Sequence, residues 1–173
     1  MMSSSLFLQL LAPAGGERIL DIGAGKGKVA DRVMKATEGA EVYAVEPDEK
    51  RVASIKKEFP SLRSSVGGAE SLPFDDSYFD KAYTTMALHH FADVDRALRE
   101  IARVLKPGGS FVILEVEPSS GLGRLFRLFG RAIGEHMGML TREQLEGRLE
   151  SAGFRVVRSS GEGSRYLVHA SRT

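Results

Sequence analysis

One short stretch, ILDIGAGKGKVA at residues 19–30, constrains the fold of this chain more than any other. It passes from an apolar segment, through a turn that contains Gly23, Gly25 and Gly27, into a helical segment. Glycine allows a positive φ angle and lets a ligand approach the main chain with no side chain in the way. The helix that follows points its unpaired N–H groups at the same place. The stretch therefore predicts a strand, a loop and a helix that together bind a nucleotide-like cofactor.

The chain up to about residue 116 alternates apolar, β-branched runs with segments of helical period. Helices are predicted from Gly27 to Thr37, from Pro47 to Phe59 and from Asp93 to Leu105, where the turn signal Lys106–Gly109 follows. Strands are predicted at Arg18–Ile22, Glu41–Glu46, Leu62–Val66, Asp80–Thr85 and Ser110–Val116. Such alternation indicates a parallel sheet with helices on both faces, and right-handed crossovers make it doubly wound.

The C-terminal part predicts a hairpin rather than another crossover. Thr141–Gln144 has the sequence of a capping box and opens a helix. Two strands follow, Phe154–Ser160 and Arg165–Ser171, joined by a turn at Gly161–Gly163, and strands this close in sequence pair most simply as antiparallel neighbours. We therefore predict a single α/β domain over residues 1–173. Its sheet is doubly wound and mainly parallel, with an antiparallel C-terminal hairpin at the edge.

Composition and charge exclude several classes of protein. The chain has a net charge of +1, so we predict no nucleic-acid partner. It has no cysteine, which excludes disulfides, zinc thiolate sites and cysteine nucleophiles, and we predict no metal site. No apolar run is long enough to span a membrane, and the segment from Ser5 to Leu11 is predicted as a short packed helix rather than a signal peptide. The predicted location is the cytoplasm.

The spacing of the glycines and their acidic neighbours indicate the kind of cofactor. A loop that holds a dinucleotide pyrophosphate has the pattern G-x-G-x-x-G, whereas this loop reads G-x-G-x-G from Gly23. Asp21, beside the loop, suits a cofactor that carries a cation such as an ammonium or a sulfonium. Glu46 ends the second strand, where an acidic residue either accepts hydrogen bonds from ribose hydroxyls or is a solvated surface carboxylate. The loop Gly68–Asp75 either meets an adenine edge or is an ordinary loop that contains proline.

Five motifs in a fixed order carry a family resemblance. Between Arg18 and Val116 the chain reads ILDIGAGKG, AVEPD, GAESLPF, FDKAYTTMALHHF and REIARVLKPGGSFVILE. This set resembles the class I S-adenosylmethionine-dependent methyltransferases, most of all the small-molecule branch that includes quinone-biosynthesis enzymes. The resemblance implies a Rossmann-like sheet of seven strands, S-adenosylmethionine as the methyl donor and S-adenosylhomocysteine as the product. It also implies in-line methyl transfer to a small, apolar or aromatic acceptor.

The resemblance assigns a role to each part of the predicted cofactor site. The amino-acid end of the cofactor would lie against Asp21 and the glycine loop, the ribose against the end of the second strand, the adenine after the third strand, and the methionine moiety at the end of the fourth. The cofactor-binding residues predicted in this way are Asp21, Gly23, Ala24, Gly25, Gly27, Glu46, Pro47, Ala69, Glu70, Thr84 and Thr85.

The acceptor side carries two further predictions. His89 and His90 follow the fourth strand, where one of them either deprotonates or orients the acceptor, or both simply pack against Phe91. Residues 118–140 are predicted as an insertion on the acceptor side, with an apolar stripe and a basic row at helical spacing. It is a lid over the cofactor, a basic amphipathic helix that touches an anionic membrane or a lipid-like substrate, or a core helix. The stripe consists of Leu125, Leu128, Phe129, Ala132 and Ile133, and the row of Arg124, Arg127 and Arg131. On the return to the sheet follow three residues that either form a pocket wall or simply pack: His136, Met137 and Met139.

About seventeen residues precede the first strand, whereas many proteins of this family carry a longer helical section that helps to close the cofactor cleft. The short helix Leu6–Leu11 closes the cleft, a second subunit of a homodimer closes it, or it stays open. Two other functions compete with methyl transfer. One is a regulatory or scaffold protein that binds S-adenosylmethionine without catalysis, and the other, weaker because of the loop spacing and Asp21, is a nicotinamide-dependent oxidoreductase.

Overall fold

The computed structural model describes residues 4–132 and 138–173, and the predicted residues Ile133, His136 and Met137 lie outside this part. The described chain forms one seven-stranded sheet in the order β3-β2-β1-β4-β5-β7-β6. The first five strands pair in parallel, and β7 is antiparallel to both β5 and β6. The predicted α/β fold class, with its C-terminal edge hairpin, is confirmed. The strands are β1 (Arg18–Ile22), β2 (Glu41–Glu46), β3 (Arg63–Val66), β4 (Phe79–Thr85), β5 (Leu105–Val116), β6 (Phe154–Glu162) and β7 (Arg165–Arg172).

Helices cover both faces of the sheet, because side chains alternate between the two faces along each strand. One apolar core joins the sheet to α1, α2 and α3, and the other joins it to α4 and α6. In β1, for example, Ile19 packs in the first core and Leu20 in the second. The helices are α1 (Ser4–Leu11), α2 (Lys28–Ala36), α3 (Glu49–Glu58), α4 (Val94–Val104), α5 (Gly121–Ala132) and α6 (Arg142–Ser151), with a 3-10 turn at Leu88–His90. None of the described helices is long and apolar enough to cross a bilayer.

Local capping explains where several helices begin. The Asp48 carboxylate accepts hydrogen bonds from the N–H groups of Lys50 (2.8 Å) and Arg51 (3.2 Å) at the start of α3. At α6 the predicted capping box is present: the Gln144 N–H donates to the Thr141 hydroxyl (3.3 Å), and the Thr141 N–H donates to the Gln144 side chain (2.9 Å). Each cap satisfies N–H groups that have no partner within the helix.

Two predicted turns differ from the structure. Lys106–Gly109 does not separate a helix from a later strand, because β5 begins at Leu105 and pairs there with Phe79. The turn is instead an outward bulge between two paired stretches of β5, and Gly108 takes a φ of 75° within it. In the hairpin, Gly161 pairs with Tyr166 and belongs to β6, so the turn lies at residues 163–164.

The N-terminal helix does not close a cleft. The structure places α1 on the β5 and β7 side of the sheet. There the Phe7 ring meets the Tyr83 ring edge-on, with 5.3 Å between the ring centroids, and Leu11 is fully buried. The Lys81 ammonium donates to the Ala12 carbonyl and holds the end of α1 on the sheet. The apolar residues of α1 are therefore used in the core.

Candidate active site

A cavity of about 680 Å³ lies at the C-terminal ends of β1, β2 and β4. Strand order reverses between β1 and β4, and open α/β sheets bind their ligands at such a switch point. Its volume falls in the range of small-molecule sites. The described residues that line it are Gly23–Lys26, Lys28, Val29, Glu46–Asp48, Arg51, Gly67–Glu70, Thr85–Ala87 and His90–Ala92.

The glycine loop forms one wall of this cavity. Gly23, Gly25 and Gly27 have φ angles of 73°, 55° and 75°, a region that other residues rarely adopt. The Gly23 N–H donates to the Val45 carbonyl (2.9 Å), which ties the loop to β2. A Cβ atom built on Gly25 would meet no protein atom within 4 Å. The loop therefore presents bare main chain to open space at that position.

Asp21 is buried directly before the loop, without a hydrogen-bond partner. The residue is 1% exposed, and neither carboxylate oxygen has a protein donor in standard geometry. Burial raises its pKa to about 7; the nearby Tyr83 hydroxyl acts to lower this pKa, and the charge of Glu46 acts to raise it further. An unpaired buried carboxylate is unfavourable unless a cation or a donor compensates it. Asp21 does not itself line the cavity, but it lies two residues before the lining residue Gly23, so its buried carboxylate is suited to a positively charged group near the glycine loop.

Glu46 links the loop to α3 at the end of β2. One carboxylate oxygen accepts the Gly25 N–H (2.9 Å), and the other accepts from the Arg51 guanidinium (3.3 Å) and the Asp48 N–H (3.4 Å). The residue is buried but lines the cavity. Because a carboxylate oxygen can accept more than one hydrogen bond, Glu46 retains acceptor capacity toward a ligand hydroxyl.

The loop after β3 is tied to the start of α4 on the opposite wall. The Glu70 carboxylate accepts from the N–H groups of Ala92 (2.7 Å) and Asp93 (3.3 Å), and its carbonyl accepts from the Arg96 side chain (2.9 Å). Ala69, which is buried, and Glu70 both line the cavity. This network fixes the wall on which the sequence predicts adenine binding.

The two predicted threonines at the end of β4 lie in different surroundings. The Thr84 hydroxyl is fully buried and donates to the Ile22 carbonyl (2.9 Å), so it is used within the sheet and does not line the cavity. Thr85 does line it, and so does Met86, whose φ of 55° is unusual for a residue other than glycine. Gly27 is also outside the lining and caps α2 instead.

The two adjacent histidines occupy different environments. His89 is buried, and its Nδ1 lies 2.9 Å from a carboxylate oxygen of Glu115, which is completely buried on β5. His90 is exposed and lines the cavity, and its ring centroid lies 4.2 Å from that of His89. A buried pair of this kind holds a ring in one orientation. The structure thus places the His90 ring at the cavity, next to the buried pair of His89 and Glu115.

Replacing Glu115 by alanine is expected to destabilise the protein by about 3 kcal/mol, since a buried His89 would lose its partner. The Val116 N–H, which donates to the same carboxylate (2.8 Å), would lose its acceptor too. Glu115→Gln, which keeps an acceptor, should lose about 1 kcal/mol. Urea unfolding measures both, with Glu117→Ala as the control on the adjoining segment. Equal midpoints for Glu115→Ala and wild type would show that the pair contributes nothing to stability.

Several lining residues were not predicted from the sequence. Arg51 and Lys28 bring positive charge to the cavity, and Met86 contributes through a backbone angle that no sequence pattern reveals. Glu115 is buried and does not line the cavity, but a glutamate inside the apolar strand SFVILEV indicates a buried polar partner, so the sequence could have revealed it. Phe126 is the described α5 residue that reaches this region, where its ring stacks near His89 with centroids 6.2 Å apart.

The fold and this cavity define a Rossmann-like, class I methyltransferase. Residues 20–113 match the methyltransferase domain family, and the chain belongs to it. A protein of Mycobacterium tuberculosis named as an uncharacterized methyltransferase is 34% identical over 128 residues, which cover 74% of this chain and 49% of that protein. The demethylmenaquinone methyltransferase of Thermus thermophilus is 34% identical over 130 residues, which cover 72% and 59% of the two chains.

A solved structure from Thermotoga maritima has the same fold. It is described as an S-adenosylmethionine-dependent methyltransferase and possible histamine N-methyltransferase, and it superposes with a TM-score of 0.79 at 25% identity. The superposition covers 96% of this chain and 87% of that one. The present chain spans about half the length of the mycobacterial relative. The resemblance to class I S-adenosylmethionine-dependent methyltransferases, including quinone-biosynthesis enzymes, is confirmed.

Proposed function

We propose that this protein binds S-adenosylmethionine in the cavity at the end of β1 and transfers its methyl group in line to a small, apolar or aromatic acceptor. The observation that carries the proposal is the buried, unpartnered carboxylate of Asp21 beneath an open glycine loop. When bound, S-adenosylmethionine supplies a methyl group on a positively charged sulfur with a good leaving group.

The residues present fit this donor. Asp21, buried directly before the glycine loop, offers a counter-charge for the ammonium group of the amino-acid end. Lys26 and Lys28, which line the cavity, offer partners for its carboxylate. Gly25 leaves space for close approach to the main chain. Glu46 can accept from ribose hydroxyls, and Ala69 and Glu70 form the wall for the adenine. These roles agree with the predictions made from the family resemblance.

The chain contributes to the transfer mainly by alignment and exclusion of water. A general base helps only when the acceptor must lose a proton. We assign that task to His90, which lines the cavity, and a positioning role to His89, which Glu115 holds. A cytoplasmic location and a homodimer stay predictions.

Replacing His90 by alanine is therefore expected to lower kcat by roughly 100-fold for an acceptor that must lose a proton. The affinity for S-adenosylhomocysteine should change little, because the loop and Glu46 remain. His169→Ala is the matched control, since His169 lies on β7 and its ring contacts Ser110 rather than the cavity (2.9 Å). An unchanged kcat in His90→Ala would return both histidines to a packing role.

The names of two similar proteins indicate which acceptor compounds to test first. Demethylmenaquinone is named for the Thermus enzyme and histamine for the Thermotoga protein, so these two compounds begin the acceptor panel. The test has two steps: calorimetry with S-adenosylhomocysteine, then transfer of a labelled methyl group to the panel. Absence of S-adenosylhomocysteine binding would refute the donor assignment. Binding without transfer to any acceptor would favour the regulatory or scaffold alternative.

A further inference from the structure

Helix α5 contacts the protein through its smallest residues. Gly123 and Gly130 are buried, and Phe126 between them is half-buried near His89. A Cβ atom on Gly123 would overlap the backbone of Glu117 and Pro118. Residues 123, 126 and 130 lie on one side of a helix, because they are three and four positions apart. The face of α5 that packs on the domain is therefore made of glycine and one phenylalanine.

The large apolar residues of α5 point away from the domain. Leu125, Leu128 and Phe129 are 59%, 66% and 61% exposed, and their spacing places them together on a second side of the helix. Among the described residues, the other exposed large apolar side chains are Val66 and Val157, which lie singly on β3 and β6. The three α5 residues are thus a continuous exposed patch, and neither a core helix nor the wall of the cavity accounts for them.

The charged residues in the sequence of this segment all have one sign. Arginines occupy positions 124, 127 and 131, at helical spacing, and no acidic residue occurs from 118 to 134. The whole chain, by contrast, carries a net charge of only +1. An exposed apolar face on a helix whose charged residues are all arginines, and whose described part is too short to span a bilayer, is typical of a helix that lies in the membrane interface. Lipid phosphate groups are the partner that such a row of arginines complements.

We propose that α5 docks this protein on an anionic bilayer surface, with Leu125, Leu128 and Phe129 inserted among the acyl chains. The same helix touches His89 through Phe126, and His90 lines the cavity, so docking brings the acceptor side to the membrane. If the proposed function holds, on which this last step depends, the acceptor is a compound dissolved in the bilayer. The docking itself does not require methyl transfer.

Vesicle co-sedimentation of the full chain tests the docking. We expect it to bind vesicles of phosphatidylcholine with phosphatidylglycerol roughly 100-fold more strongly than phosphatidylcholine alone, and to be released by salt. Leu128→Glu and Arg124→Glu should each weaken binding at least about tenfold. Val157→Glu is the matched control, because it places the same charge on an exposed valine outside α5 and should leave binding unchanged.

Three outcomes would overturn the docking. The first is equal binding to both kinds of vesicle, and the second is an equal loss of binding in Leu128→Glu and Val157→Glu. The third is that the patch joins two copies of the chain. Sedimentation would then show a dimer that Leu128→Glu dissociates, while vesicle binding stays unchanged. Calorimetry with S-adenosylhomocysteine on the same samples separates this result from the proposed function. Normal donor binding with no vesicle binding refutes the docking alone, and the reverse refutes the donor assignment alone.

Discussion

Replacing Asp21 by asparagine is expected to abolish detectable cofactor binding while making the ligand-free protein more stable. The carboxylate is the one negative group that the fold buries beneath the loop without a donor among the described residues. Loss of a buried charge pair with the ligand corresponds to about 3 kcal/mol or more, which is a fall in affinity of at least roughly 100-fold. Calorimetry with S-adenosylhomocysteine measures this loss.

The gain in stability follows from the direction of the pKa shift. Because burial raises the pKa of Asp21 from 3.8 to about 7, the folded protein binds more protons than the unfolded chain between these values. Wild-type stability should therefore fall as pH rises from about 4 to 7, by roughly 4 kcal/mol in total, and stay level above. Asparagine removes this dependence but adds an unpaired amide at about 1–3 kcal/mol. Near pH 8 we expect a net gain of about 2 kcal/mol, seen as a melting temperature higher by about 4–8 °C.

Asp80→Asn is the control, because removing this carboxylate should change stability in the opposite direction from Asp21→Asn. Burial acts to raise the pKa of Asp80, but hydrogen bonds from the Lys106 ammonium and the Arg18 N–H outweigh it, so the pKa lies below its usual value. Its ionised form therefore stabilises the fold, and this stabilisation is lost as pH falls through the lowered pKa. The variant should be less stable than wild type at neutral pH and should bind S-adenosylhomocysteine normally. A lower melting temperature for Asp21→Asn at pH 8 would contradict the assignment of Asp21 as an uncompensated charge.

The fold was largely predictable because its signals are local. Apolar strands, the cap at Asp48 and the capping box at Thr141 each determine their own element, and the structure has all three. The errors occur where strand pairing decides the outcome. Leu105 belongs to β5 because it pairs with Phe79, which is distant in sequence, so no local pattern contains its partner. Gly161 has the composition of a turn, but it belongs to β6 because it pairs with Tyr166 across the hairpin.

The cavity was predictable in outline but not in its side-chain directions. Alternation along β4 and the sharp turn after it decide that Thr84 bonds to β1 while Thr85 lines the cavity, and that His89 is buried while His90 is exposed. In each pair of adjacent residues, one side chain is therefore buried and the other faces the cavity. The use of the α5 stripe stayed open in the sequence for a related reason: helical spacing groups Leu125, Leu128 and Phe129 together, but it does not say which side of the helix packs on the domain.

Gly25→Val is expected to abolish binding of S-adenosylhomocysteine and to leave the protein folded. The valine side chain would enter open space on the cavity side, where no protein atom lies within 4 Å, so it fills the volume that the ligand needs. Its φ of 55° is unfavourable for a branched residue and should lower stability by about 1–2 kcal/mol. Calorimetry and thermal unfolding measure the two effects separately.

Gly16→Val is the control that distinguishes the two expected effects of Gly25→Val, backbone strain and occupation of the ligand site. Gly16 has a φ of 80°, and a Cβ atom there would also meet nothing within 4 Å, but it lies before β1 and away from the cavity. The two variants should therefore lose similar stability, and only Gly25→Val should lose the ligand. Gly23→Ala behaves differently again, because its Cβ would lie 2.6 Å from that of Ala87, so it should mainly destabilise the fold. If Gly25→Val binds S-adenosylhomocysteine as wild type does, the ligand does not approach the main chain at Gly25, and the glycine loop serves only the turn into α2.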